Sequence, residues 1–197
     1  MSKVYNVGIN DSGYTIKGCK FYAMWRNMLM RCYSPEYQEK RPTYKGCKVC
    51  EEWLTFSNFR AWMETQDWEG KQLDKDIITP GNKIYSPENC VFVTQAINSL
   101  LTVSKSNKGD HPLGVSFLNH KPLPRPYIAT IRYNNVVERL GYYVDPLSAH
   151  LAWNRRKREI ITEVINSETD SRIAAGLRLR VEMLDHAYEN KTEIFCL

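Results

Sequence analysis

Between Thr102 and Gly114 the run TVSKSNKGDHPLG interrupts the apolar rhythm of the chain and gathers polar residues with Gly and Pro. A single core does not continue through such a stretch, so the 197 residues are expected to divide around a linker at 102–113. The expected parts are a module over 1–101, a second over 114–160 and a helical tail over 161–197. At 43% hydrophobic content the chain has enough apolar side chains to give each module a core.

Charge is unevenly spread. Residues 103 to 160 hold ten basic side chains against four acidic ones, which is more than the whole chain's net +5 and leaves the rest slightly negative. A basic segment of this kind suits a polyanion, because each phosphate it neutralises releases condensed counterions. No apolar run approaches bilayer length, and the opening MSKVYNVGIND lacks the apolar stretch of a signal peptide, so a cytoplasmic protein is expected. Its six cysteines are then expected as thiols. Only Cys47 and Cys50 form a CxxC, and with no second close pair zinc is not expected.

Helical spacing marks KFYAMWRNMLMRCY, where Tyr22, Trp25, Leu29 and Cys32 share a face, and EEWLTFSNFRAWM, through Trp53, Phe56 and Trp62. These aromatics are expected in the core rather than stacked on bases. At the far end, SETDSRIAAGLRLRVEMLDHAY places Ile173, Leu177, Val181, Leu184 and Tyr188 on one stripe, to pack on the body or to form a homodimer. Helices and short strands segregate along the chain, which predicts an α+β protein.

The stretch LDKDIITPGNKIYSPENCVFV, residues 73 to 93, reads as strand, turn-rich loop and strand, followed by a helix through Ala96, Ile97, Asn98 and Leu101 that Thr94 is placed to cap. That order can bring Asp74 near Asn98, two oxygen donors for one hard cation, with Asn89 tethering the loop. Taken one at a time, these residues are also ordinary turn and strand punctuation.

With Leu73, Asp74, Gly81, Asn82, the run Tyr85 to Cys90 and Asn98, the segment resembles the phage-type HNH, or ββα-metal, nuclease family. WRNMLMRCY, YKGCKVCEEW and FSNFRAWM resemble the elements that precede this core. The resemblance implies a ββα-metal module with flanking helices that hydrolyses DNA, nicking one strand as a homing-type endonuclease of a phage, in its bacterial host's cytoplasm. Asp74 and Asn98 would ligate Mg²⁺ or Mn²⁺ and stabilise charge on the departing 3′ oxygen, and Asn89 would be the central structural Asn.

The sequence departs from this family at one position. The residue after the ligand Asp is usually a histidine that deprotonates water, and here it is Lys75. Lys75 as base, Asp76 as base, and a metal-bound hydroxide without a strong base all stay open, as does Lys75 neutralising phosphate. Two other readings stay open: a catalytically inactive HNH-fold DNA-binding protein, in which the missing histidine marks a retired active site, and a phage protein that binds a host protein through its C-terminal helix.

From Gly114 the sequence changes character. In YIATIRY, residues Tyr127, Ala129, Ile131 and Tyr133 alternate with Ile128, Thr130 and Arg132, an Asn-Asn turn follows, and Asp145-Pro146 opens a helix through Ala149, Ala152 and Trp153. With Gly114-Val115, YIATIR, Leu140-Gly141-Tyr142-Tyr143 and Trp153, this segment resembles the ethylene-response-factor (Apetala-type, AP-two) DNA-binding domain. The resemblance implies a three-stranded sheet backed by a helix, laid in the major groove of double-stranded DNA. It carries Ser116, Thr130, Arg132 and Arg139 to the groove-facing side, where arginine can hold guanine. Several of the family's arginines are Ser116, Leu118 and Val137 here. Lys121 and Arg125 are expected on phosphates, and Arg155 to Arg158 as a solvated helix end.

Overall fold

A computed structural model describes residues 3–13, 15–101, 111–119 and 123–195. The chain is α+β and divides into two compact units, Met1–Thr94 and Gln95–Leu197.

The first unit is built on helix α1 (Lys20–Tyr33), which buries Trp25, Met28, Leu29 and Cys32 on the face its spacing marked. A second helix, α2 (Pro35–Lys40), starts where Ser34 accepts a hydrogen bond from the Tyr37 amide. The segment EEWLTFSNFRAWM is not one helix. A 3₁₀ turn at Glu52–Leu54 is followed by extended Thr55, and α3 runs only over Phe56–Glu64. The break turns Trp53 into the core beside Phe59 and lets its carbonyl accept the Trp25 indole N–H at 2.7 Å. Trp25, Trp53, Phe56 and Phe59 are buried, so these aromatics pack the core as expected, each contributing about 1.5–3 kcal/mol.

Four short strands complete this unit. Strand β1 (Lys48–Val49) pairs in parallel with β3 (Ile84–Tyr85), and β2 (Gln72–Asp74) pairs antiparallel with β4 (Val91–Val93), Asp74 lying opposite Val91.

The second unit begins with α4 (Gln95–Leu101), earlier than the expected boundary at 101. The helix is held there by Lys157, whose buried ammonium donates to the Leu100 carbonyl, satisfying one of the acceptors a helix leaves at its C-terminus. Strands β5 (Val115–Phe117), β6 (Tyr127–Tyr133) and β7 (Val136–Tyr143) form an antiparallel sheet in that order. Asn134 and Asn135, both at positive φ, make the turn between β6 and β7.

Helix α5 (Pro146–Ser167) covers one face of this sheet. Asp145 caps it by accepting from the Ser148 amide at 2.8 Å, and Ala149 and Trp153 lie buried with Ala129 and Ile131. Gly114, at φ +78°, has no room for a side chain, because a Cβ would stand 2.0 Å from Trp153 Cδ1.

Several expected boundaries shift in this unit. Leu113, assigned to the linker, is buried and its backbone N–H donates to the Ile194 carbonyl of the C-terminal segment at 3.0 Å. The run Arg155 to Arg158 is the middle of α5 rather than a solvated helix end. Lys157 is buried, Arg156 pairs with Glu138 at 2.9 Å, and Arg158 pairs with Asp185 at 2.6 Å.

The tail is likewise part of the body. Helix α6 (Ser171–Glu189) lies against α5, burying Ile173, Leu177 and Leu184, and Asn154 donates to the Leu184 carbonyl. Of the five residues of the expected stripe, Val181 is half-buried and Tyr188 is exposed.

Candidate nucleic-acid interface and HNH-like loop

The outer face of the three-stranded sheet is defined by what α5 covers. Ala129 and Ile131 are buried under the helix, so Ile128, Thr130 and Arg132 point the other way. On β7 the alternation is broken. Ala129 pairs with Gly141 but Thr130 pairs with Arg139, leaving Leu140 as an extra residue in a bulge. Without it, Arg139 and Val137 would point at α5. With it, they share the outer face with Arg132, and Glu138 turns inward to reach Arg156. Gly141 makes the bulge feasible, at φ +143° with the Tyr143 hydroxyl 3.1 Å from where a Cβ would stand.

The register sets this face out in rows: Ser116, Ile128 and Tyr142; then Thr130 and Arg139; then Arg132 and Val137. Arg139 is oriented by its neighbour. It donates to the Tyr142 hydroxyl at 3.1 Å and its guanidinium lies 5.7 Å from that ring's centre. Ser116, Arg132, Val137, Arg139 and Tyr142 are all exposed. The structure therefore brings together four expected groove-facing residues: Ser116, Thr130, Arg132 and Arg139. Arg125 is exposed in the loop between β5 and β6, whereas Lys121 lies outside the described residues. Tyr142 and the bulge were missed by sequence reasoning; the Leu-Gly pair at 140–141 was their signal.

The loop that follows β2 is organised by its own side chains. Asp74 ends β2, and its Oδ1 accepts the backbone N–H groups of Asp76 at 2.9 Å and Ile77 at 2.7 Å. Burial and the nearby Asp76 carboxylate raise the Asp74 carboxyl above its ordinary proton affinity.

Lys75 is only 6% exposed, and its ammonium donates to Asp76 Oδ2 at 2.9 Å and to the Asn82 carbonyl at 2.8 Å. Its ammonium is turned into the fold, with both of these contacts made inside the loop. Asn82 returns the contact, its amide donating to the carbonyls of Lys75 at 2.6 Å and Ile84 at 2.8 Å. This makes Asn82 the main tether of the loop, a role its place after Gly81 at φ +75° could have signalled. The side-chain amide of Asn89, expected to tether the loop, donates to Ser86 Oγ at 3.0 Å.

The family-implied ion meets a mixed set of donors. The carboxylates of Asp74 and Asp76 are the hard oxygens that Mg²⁺ or Mn²⁺ prefers, but an ammonium already neutralises Asp76. Asp74 belongs to the first unit and Asn98, on α4, to the second. Among the described residues no three His, Cys, Asp or Glu side chains converge as a metal site. Cys47 and Cys50 have thiols raised by burial, and burial pushes Cys32 up to about 12, so these sulfurs stay protonated at neutral pH.

No helix among the described residues is long and apolar enough to cross a membrane. Comparison with known proteins finds no matching family model, no characterised relative and no matching solved structure.

Proposed function

We propose that this chain binds double-stranded DNA with the outer face of the β5–β6–β7 sheet, as a phage-type protein of mixed HNH and Apetala character. The observation that carries the reading is the bulge at Leu140, which sets Arg139 on the same exposed face as Arg132, one of them held in place by Tyr142. Two arginines on adjacent strands, diagonal to one another, suit guanine O6 and N7 on nearby base pairs, while Arg125 suits a phosphate. The first unit serves as a scaffold in this reading. Its HNH-like loop is tied together by Asp74, Lys75 and Asn82 instead of by a metal ion.

A second reading, a metal-dependent endonuclease that nicks one strand, is favoured by one observation. Burial, and after it the nearby Asp76 carboxylate, raise the Asp74 proton affinity, and paired carboxylates of this kind mark sites that a divalent ion would relieve. Asp74 and Asp76 would hold that ion, which would supply Lewis-acid stabilisation of the leaving oxygen.

One experiment separates the two. Supercoiled plasmid is incubated with the full chain and Mg²⁺ or Mn²⁺, beside Asp74→Asn, Lys75→Ala and Asn98→Ala, and duplex binding is measured on the same samples. The scaffold reading expects all four proteins to bind and none to nick. Nicking by the wild type that Asp74→Asn abolishes would replace it with the nuclease, and absence of binding would end both.

A further inference from the structure

The outer face of the sheet is not uniformly basic. Val137 is 54% exposed near the hairpin end of β7, directly across from Arg132 and two residues from Arg139. Ile128 lies two rows away, between Ser116 and Tyr142. A β-branched side chain standing in solvent between two arginines gains nothing from a phosphate. In the major groove of DNA the outstanding apolar feature is the C5-methyl group of thymine, and branched aliphatic side chains are suited to meet it. Valine is also stiff about χ1, so the sheet presents its methyl groups in one direction.

Resting on the DNA-docking reading above, we propose that Val137 is a specificity-determining residue that reads a thymine methyl beside the guanine held by Arg132. The chemistry fits the occupant: the arginines supply charge complementarity to a polyanion, and the valine discriminates among its base pairs. Cross-strand partners stand about 5 Å apart, comparable to one or two base-pair steps, so the methyl read by Val137 belongs to a pair next to, or one removed from, the guanine. The face therefore selects mixed sites in which guanine and thymine are neighbours, and it disfavours runs of G·C pairs.

The test uses the full chain and duplexes recovered by selection from a random library. Recovered sites are expected to carry thymine within two positions of a required guanine. Replacing that thymine by deoxyuridine, which removes only the methyl, is expected to weaken wild-type binding about fourfold, the scale of one buried methyl group. Val137→Ala is expected to bind the thymine and deoxyuridine duplexes alike. Duplex binding that ignores the methyl, or a Val137→Ala protein that still senses it, would overturn the assignment while leaving the docking reading in place. A wild-type chain that recovers no duplex at low salt would remove the docking reading, and the assignment with it.

Discussion

Thr130 on β6 lies opposite Arg139 on β7, one residue out of step with the Ala129–Gly141 pair beside it. That single-residue slip decides which side chains the sheet shows to solvent, because successive residues of a strand face opposite ways. Gly141 at φ +143° holds the bulge, and Tyr142 then supports Arg139 from the same strand. Gly141→Ala is expected to cost about 1–3 kcal/mol and to weaken duplex binding as Arg139 loses its aim. Urea unfolding and a binding titration on one preparation would check both effects.

On the DNA-docking reading, Arg139→Ala removes a guanidinium that would contact guanine, and is expected to weaken specific binding by about 1–3 kcal/mol while relaxing preference at one base pair. Tyr142→Phe keeps the ring under the guanidinium and removes only the 3.1 Å hydrogen bond, so a smaller loss is expected. Competition binding against single-substitution duplexes would rank the two variants.

At Gly114, packing and backbone conformation both exclude a side chain. An alanine Cβ would meet Trp153 at 2.0 Å with the backbone at φ +78°, and a loss on the order of 3 kcal/mol is expected. Gly13→Ala is a control, since nothing lies within 4 Å of its Cβ position. Thermal unfolding of the pair should separate them clearly.

Asp74 has a raised proton affinity in the folded chain, so its contribution to stability is fully present below the unfolded carboxyl value near 4 and is lost as pH rises through the folded value. Asp74→Asn keeps an oxygen for the Asp76 and Ile77 amides but cannot ionise. It is expected to be at least as stable as wild type at pH 7 and to lack this dependence. Asp74→Ala leaves those amides without their acceptor and is expected to lose about 1–3 kcal/mol. Urea midpoints at pH 4 and pH 7 for the three proteins give the answer.

His150 shows the opposite sign. It is fully buried, stacked on Trp153, and bridges the Leu113 carbonyl at 2.9 Å and the Ile194 amide at 3.0 Å, so Nδ1–H donates while Nε2 must stay an unprotonated acceptor. Burial lowers its proton affinity, opposed by the Leu113 carbonyl and the Glu193 charge. The resulting stability is present above pH 6.5, the ordinary imidazole value, and is lost as pH falls through the lower folded value. Hydrogen exchange at the Ile194 amide is expected to accelerate in that window, and a rate independent of this transition would contradict the assignment.

Much of this was legible in the residues. The alternation in YIATIRY, the Asn-Asn turn and the Asp145-Pro146 start gave two strands of the β5–β6–β7 sheet and the start of its helix, because each rests on local chemistry. The face of α1 followed from helical spacing. What the sequence concealed depended on contacts made at a distance. The bulge at Leu140 is one residue long. The burial of Lys157 within an apparently solvated run depends on α4, and the inward turn of Lys75 depends on a carbonyl seven residues away. Asp74 and Asn98, joined by motif, fall in different units because α4 packs with the β5–β6–β7 sheet.

The central claim is that the outer face of the β5–β6–β7 sheet holds duplex DNA. Its most direct test is the affinity of the full chain for selected duplex DNA across a salt series, compared with Arg132→Ala/Arg139→Ala. The account predicts binding that weakens steeply with salt and falls at least tenfold in the double variant, with both proteins melting alike. A double variant that binds as tightly as wild type at every salt concentration would contradict it.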